Sequence, residues 1–169
     1  MKRIHRLALI LSILFICISC DQVTKKIASQ QLRSVPSISY LGNTFVLQFA
    51  KNKGAFLSIG SNWPLAFQLL FLKILPIIIL SIFYILLFRT NKLNLLSVIS
   101  ISLLLGGGSS NMLDRIFNNG YVIDFMNMGV GSLRSGIFNF ADVFIMAGSG
   151  LMLISILREK KLLNRKVDR

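Results

Sequence analysis

The sequence predicts an all-α membrane protein of four transmembrane helices, with a small β-sheet element on the outer membrane surface between helices 1 and 2. Three observations lead there. Of 169 residues, 54% are hydrophobic and 15% charged, with a mean hydropathy of +0.70, whereas soluble domains are roughly 45–50% apolar and about 25% charged. Four apolar windows approach the about 20 residues that a helix needs to cross about 30 Å of hydrocarbon. Basic residues gather at the ends of these windows. The 13 Phe, 6 Met, 3 Pro and 12 Gly describe long unbroken apolar runs, which excludes disorder and collagen, and two cysteines cannot make a disulfide framework.

The windows are Leu7 to Cys20, extending past Asp21 to about residue 22, then Pro64–Phe88, Leu93–Met112 and Phe138–Leu157. Together they predict one integral membrane domain over residues 1–169. Only the second window carries a lysine, Lys73, whose stem can run toward an interface. With the N-terminus in the cytoplasm, segments 1–6, 89–92 and 158–169 lie inside and hold 11 of the 19 basic residues in 22 positions, against 7 in 68 outside. By the positive-inside rule both termini are therefore cytoplasmic. The longer segments 21–63 and 113–137 are then outside, where a site facing the far side of the membrane is expected. In the first of them, Thr44–Ala50 and Ala55–Ile59 flank Lys51–Gly54, which reads as two short strands around a turn. Trp63-Pro64 is an interfacial aromatic followed by a first-turn proline.

The formal charge of +13 does not indicate nucleic acid, because the basic residues flank apolar stretches and form no solvated stripe. One histidine, His5, and two cysteines inside an apolar run make no metal constellation, so neither metal nor cofactor is expected. Cys17-Ile-Ser-Cys20 has redox spacing without the βαβ context such sites need. The basic start, the apolar run and Cys20 also imitate a bacterial lipoprotein signal. Cys17 stands where such a signal usually has Leu, and three further spans follow where it would have a soluble domain.

The acids are the informative residues. Glu159 and Asp168 read as solvated charges in a basic tail, but Asp21, Asp114, Asp124 and Asp142 all fall at or near the outer ends of spans one, three and four. An ionisable group beside a span is costly and is a functional candidate by default. Their neighbours recur at helical spacing: Asp21 with Lys25, Asn111 with Asp114 and Arg115, Asn139 with Asp142, each set on one helix face. At a single membrane level these faces can converge into a polar cluster. The plainer alternative is a set of interhelical polar ties. Without a nucleophilic Cys or a Ser/His pair, the chemistry open to the cluster is that of carboxylates: two Asp sharing one proton activate water and protonate a leaving amine. Spacing leaves open which two form the pair.

The motifs Asp21-Gln-Val-Thr-Lys25, Asn52-Lys-Gly-Ala-Phe56, Gly106-Gly107 through Asn111-Met-Leu-Asp114-Arg115, Gly120-Tyr-Val-Ile-Asp124-Phe125 and Phe138-Asn139-Phe-Ala141-Asp142 resemble the lipoprotein signal peptidases, the type II signal peptidases of bacteria. Five motifs in order, over nearly the whole chain, make the resemblance specific. It implies an aspartic peptidase of the bacterial inner membrane that removes the signal peptide from prolipoproteins just before the diacylglyceryl-modified cysteine, with its active site near the outer face. On that resemblance the catalytic pair is Asp124 and Asp142. Asp21, Lys25, Asn52, Gly54, Asn111, Asp114, Arg115 and Asn139 are expected to position substrate or hold the pair, and Asp114 is expected to support Arg115. The strands around Phe45, Phe49 and Phe56 are expected to close over bound substrate. The implied partners are lipid-modified prolipoproteins and membrane lipid, with the protein a monomer and metal-free.

The chain departs from the family pattern at Ser110, usually Gly, and at Val143, usually Ser. The first is expected to shift helix packing slightly and the second to remove a hydroxyl beside the site. Intramembrane aspartic proteases with a Gly-x-Gly-Asp signature are a poorer match because that tetrapeptide is absent. A small transporter or proton relay is the alternative from another class, with intramembrane Asp lining a path. The acids crowd at one interface, however, and Lys73 alone is no relay.

Overall fold

In a computed structural model, which describes residues 2–55 and 58–167, four helices are long and apolar enough to cross a membrane. The first, α1, spans Arg3–Gln31. It continues beyond its apolar window because Asp21, Lys25 and Ala28 recur on one buried face of its C-terminal half. The second crossing, Leu65–Arg89, is α2 (Leu65–Leu69), a π-helical turn (Leu70–Ile74) and α3 (Leu75–Arg89) in sequence. Pro76 supplies the reason for the wide turn: it has no N–H to give the preceding turn, and its ring crowds that turn's carbonyl. This rod is almost entirely exposed, with 6% of its most apolar window buried, as a surface solvated by lipid must be.

Helix α4, Leu95–Phe117, opens on an Asn94 cap that accepts from the Ser97 N–H at 2.8 Å. It is the axis of the molecule. Ile10, Leu14, Leu87, Val98, Ile101 and Leu105 form the apolar core around it. Small residues let its neighbours close in: a Cβ on Gly106 would stand 2.6 Å from that of Cys17, and one on Gly107 would strike the Ala141 carbonyl of α5, Phe140–Val167. At the end of the bundle away from the sheet, Asn94 bonds Ser155 and Glu159 at 2.9 and 2.6 Å. Glu159 is thus tied to Asn94, while Asp168 lies outside the described residues.

Four strands, β1 (Ile38–Tyr40), β2 (Phe45–Asn52), β3 (Val122–Val130) and β4 (Leu133–Phe138), form one antiparallel sheet in chain order. It thus draws on both of the longer segments between crossings, the one after α1 and the one after α4. The expected strand over Ala55–Ile59 does not form among its described residues. Instead the chain turns, with Ala55 N donating to the Ile59 carbonyl at 2.7 Å and Ser58 N to the Ala55 carbonyl at 3.0 Å. The cause is Asn52, whose side chain accepts from Gly54 N and donates to the Ala55 carbonyl, closing a side-chain turn that competes with a ladder. Phe56 and Leu57 lie outside the described residues. Phe45, Leu47 and Phe49 pack with Ala28, Leu32, Phe125 and Met126 to hold the sheet on the C-terminal end of α1.

Candidate active site

Two layers of polar groups meet where α1, α4, α5 and β3 converge. The inner layer is built on Lys25, a 1% exposed lysine, whose Nζ lies 2.6 Å from Asp21 Oδ2 and 3.0 Å from Asp114 Oδ2 and donates to Asn111 Oδ1 at 2.8 Å. One ammonium therefore uses its three protons on three helix-borne oxygens. Asp21 also accepts from the Ala141 N–H, and Asp114 from the Ile123 N–H, at 2.8 and 3.0 Å. These bonds fix α5 and β3 against α1 and α4. Asp114 makes no described hydrogen bond or ion pair to Arg115, so what it lends that residue is its nearby charge. Successive residues on a helix point about 100° apart, and Arg115 turns instead to the carbonyls of Gly54 and Asn111.

The outer layer holds the other two aspartates. Asn139, fully buried at the start of α5, donates its side-chain amide to Asp124 Oδ1 at 2.6 Å and its backbone N–H to Asp142 Oδ2 at 3.1 Å. A single residue thus ties both carboxylates. Asn52 donates to Asp124 Oδ2 at 3.0 Å and Asn111 to Asp142 Oδ1 at 2.9 Å. Because Asn111 Oδ1 accepts from Lys25 and from Asn139, the inner layer sets the orientation of the amide that reaches Asp142. Burial pushes the Asp124 carboxyl up to about 6; the Asn52 bond opposes this, the charge of Asp142 adds to it, and the Asn139 bond opposes it.

Asp124 and Asp142 line one cavity of about 660 Å³ with Asn52, Asn111 and Arg115. Its other walls are mainly apolar, including Ile79, Leu80 and Phe83 of α3 and Leu104 of α4. Such a shape suits an extended or helical apolar chain with its polar backbone brought to the carboxylates. Among the described residues no group of three or more His, Cys, Asp or Glu side chains could hold a metal ion.

Of the residues singled out from sequence, Asp124, Asp142, Asn52, Asn111, Asn139 and Arg115 stand in the outer layer and Asp21, Lys25 and Asp114 in the inner. Gly54 is wedged into the turn, where a Cβ would lie 2.5 Å from Ser58 and Ile59 backbone atoms. Sequence reasoning passed over Gln22, which donates to Asp114 at 2.9 Å and to the Ser110 hydroxyl at 3.0 Å. Its place one residue after Asp21 was the available signal. Ser110 is more than a packing change, since its buried hydroxyl donates to Asp21 Oδ2 at 2.7 Å. Val143 is 38% exposed.

Comparison with known proteins gives this geometry a context. The family model described as signal peptidase (SPase) II matches residues 13–158. A lipoprotein signal peptidase of Borrelia turicatae is 34% identical over 158 residues, covering 89% of this chain and 92% of that protein. One of Leifsonia xyli subsp. xyli is 35% identical over 155 residues, covering 88% of this chain and 67% of its own. Among solved structures, a bacterial membrane enzyme obtained by the in meso method at 2.3 Å superposes with a TM-score of 0.77 at 28% identity, covering 89% of this chain and 88% of its own. A family match over most of the length, on a multi-pass helical frame of the same shape, means that the chain belongs to the signal peptidase II family, the peptidases that remove signal peptides from prolipoproteins.

Proposed function

We propose that the chain is an aspartic endopeptidase of the bacterial inner membrane in which Asp124 and Asp142 together activate water and cleave prolipoproteins immediately before the diacylglyceryl-modified cysteine. The observation that carries this reading is Asn139, which hydrogen-bonds both carboxylates on the wall of one largely apolar cavity. Two carboxylates in one partly dehydrated site do not both ionise easily, so the pair retains one proton at working pH. The ionised member takes a proton from a water molecule as that water's oxygen attacks the scissile carbonyl. The protonated member hydrogen-bonds the carbonyl oxygen, and a proton returned to the amide nitrogen releases the amine.

The remaining polar residues support this chemistry without entering it. Asn52, Asn111 and Asn139 fix the two carboxyl groups, Arg115 and Gly54 fix the turn beside them, and Lys25 with Asp21 and Asp114 fixes the strand and the helix that carry them. The positive-inside count puts both termini in the cytoplasm and the pair near the outer face. The protein works as a monomer, with the substrate cysteine's acyl chains in the surrounding lipid. A transporter or proton relay has less support, because the cavity walls beyond the carboxylates, Leu80, Phe83, Leu104 and Leu105, carry nothing titratable.

Membranes bearing Asp142→Asn test the reading. Uncleaved, lipid-modified prolipoprotein should accumulate while the variant protein remains abundant. Normal processing in those membranes would refute it.

A further inference from the structure

Lys73, the one lysine in the second crossing, takes no part in the polar cluster. It lies in the π-helical turn, and a Cβ on Gly120 would stand 3.7 Å from its Cε and Nζ, so its ammonium faces the chain just past the end of α4. There it lines a small pocket of about 130 Å³ with Lys53, Arg115 and Asn119. Three cationic residues thus border one space, and no carboxylate is among its described lining residues. Among the described residues, neither Lys53 nor Lys73 pairs with an acid. Arg115 spends Nη1 and Nη2 on backbone carbonyls and keeps a buried Nε without a partner. Lys53 is held at the rim over the Tyr121 ring, 5.0 Å from its centroid.

Gln68 also lines the pocket, with its amide donating to the Ser61 and Trp63 carbonyls, and the remaining side chains of the wall are apolar. Leu65, Leu69 and Leu72 of the second crossing line the same pocket, and Leu65 and Leu69 are 70% and 40% exposed on the outer surface of that rod. A cation within a crossing is costly and calls for a named partner, and like charges around one space repel until an anion lies between them. The arrangement combines phosphate-binding donors with an apolar flank open to the bilayer.

We propose that this pocket binds the phosphodiester of an anionic phospholipid in the leaflet on the polar-cluster side, with Lys53 and Lys73 on the phosphate oxygens and the leucines against the glycerol backbone. The ammonium groups supply charge-assisted hydrogen bonds, and the bilayer supplies the ligand at high local concentration. The bound lipid lies beside the Lys53–Ala55 turn and so borders the active-site cavity through Arg115.

Native mass spectrometry of the full chain in neutral detergent, offered equal amounts of phosphatidylglycerol and phosphatidylcholine with matched acyl chains, tests the proposal. Phosphatidylglycerol should be retained preferentially, by a factor of about five for each lysine involved. K53Q, an exposed change, should lose about fivefold of that preference and K53Q/K73Q nearly all of it, while K73R keeps it. K26Q, an exposed change on α1 outside the pocket, should leave it unchanged. Excess inorganic phosphate should not displace the lipid; displacement would mean that the pocket takes a free anion, which overturns the proposal. Equal retention of the two lipids by the unaltered protein would also overturn it, as would a loss in K26Q equal to that in K53Q, or no loss in K53Q.

Discussion

Asn52 shows how one side chain governs both a turn and an ionisation. Its amide favours the charged form of Asp124, whose carboxyl burial has raised to about 6. Since that value lies above the ordinary carboxylate range, the folded protein holds the proton more tightly than the unfolded chain. Asp124 therefore favours the fold at acid pH and loses that contribution as pH rises through about 6. If the pair must keep one proton, kcat/KM falls along the same limb, and Asn52→Ala should move the limb to higher pH by removing a bond that opposes the shift. A pH profile on purified protein checks the sign, and movement to lower pH would contradict the account. Asp114→Asn should act differently, by weakening the Lys25 node. Breaking a buried ion pair costs about 3–5 kcal/mol, so the variant should accumulate poorly, as immunoblotting of membranes would report. The residues of the site were legible as types and spacings, because acids are so rare in this chain that four near one interface stand out. Their division into two layers was not, since it depends on which oxygen each amide reaches across three helices and a strand.

At the scale of elements, hydropathy made the four crossings legible and composition hid three of the sheet's four strands. Strand β3 is buried on both faces over Asp124–Asn127, so its sequence lacks the alternation that marks a half-exposed strand. Strand β4 contains Gly136 at a φ of +75°, and β1 is three residues long. The expected strand over Ala55–Ile59 had the right composition but lost to the Asn52 turn, a local bond that propensity does not register. The π-helical turn had a visible cause in Pro76. The closeness of α4 to α5 rests on Gly107, where a Cβ would meet the Ala141 carbonyl, and on Gly148, where one would meet the Ser100 carbonyl, and it is what lets Asn111 reach Asp142. Gly107→Val should force the Ala141 turn away, lowering the thermal unfolding midpoint in detergent and slowing cleavage together. Unchanged stability and rate would show that the close approach has no such role.

For the whole molecule, the proposed orientation places the apolar cavity and its carboxylates at the depth where a lipid-anchored cysteine would rest. A single Cys at Ser37, on a background lacking Cys17 and Cys20, should be labelled from outside by an impermeant reagent, and one at Asn164 should not. The reverse pattern would invert the molecule. Because each buried CH₂ adds about 0.8 kcal/mol to membrane partitioning, a substrate lacking its diacylglyceryl group should be cleaved far more slowly at matched concentration in detergent, and equal rates would remove the lipid from recognition. The central claim is narrower than either, that Asp124 and Asp142 are the pair that acts on water. Its most direct test is the cleavage rate of a diacylglyceryl-modified signal peptide by purified, folded Asp124→Asn and Asp142→Asn proteins. The account predicts that each loses at least about 10²–10⁴-fold in kcat with its unfolding midpoint retained; near-normal turnover by either would contradict it.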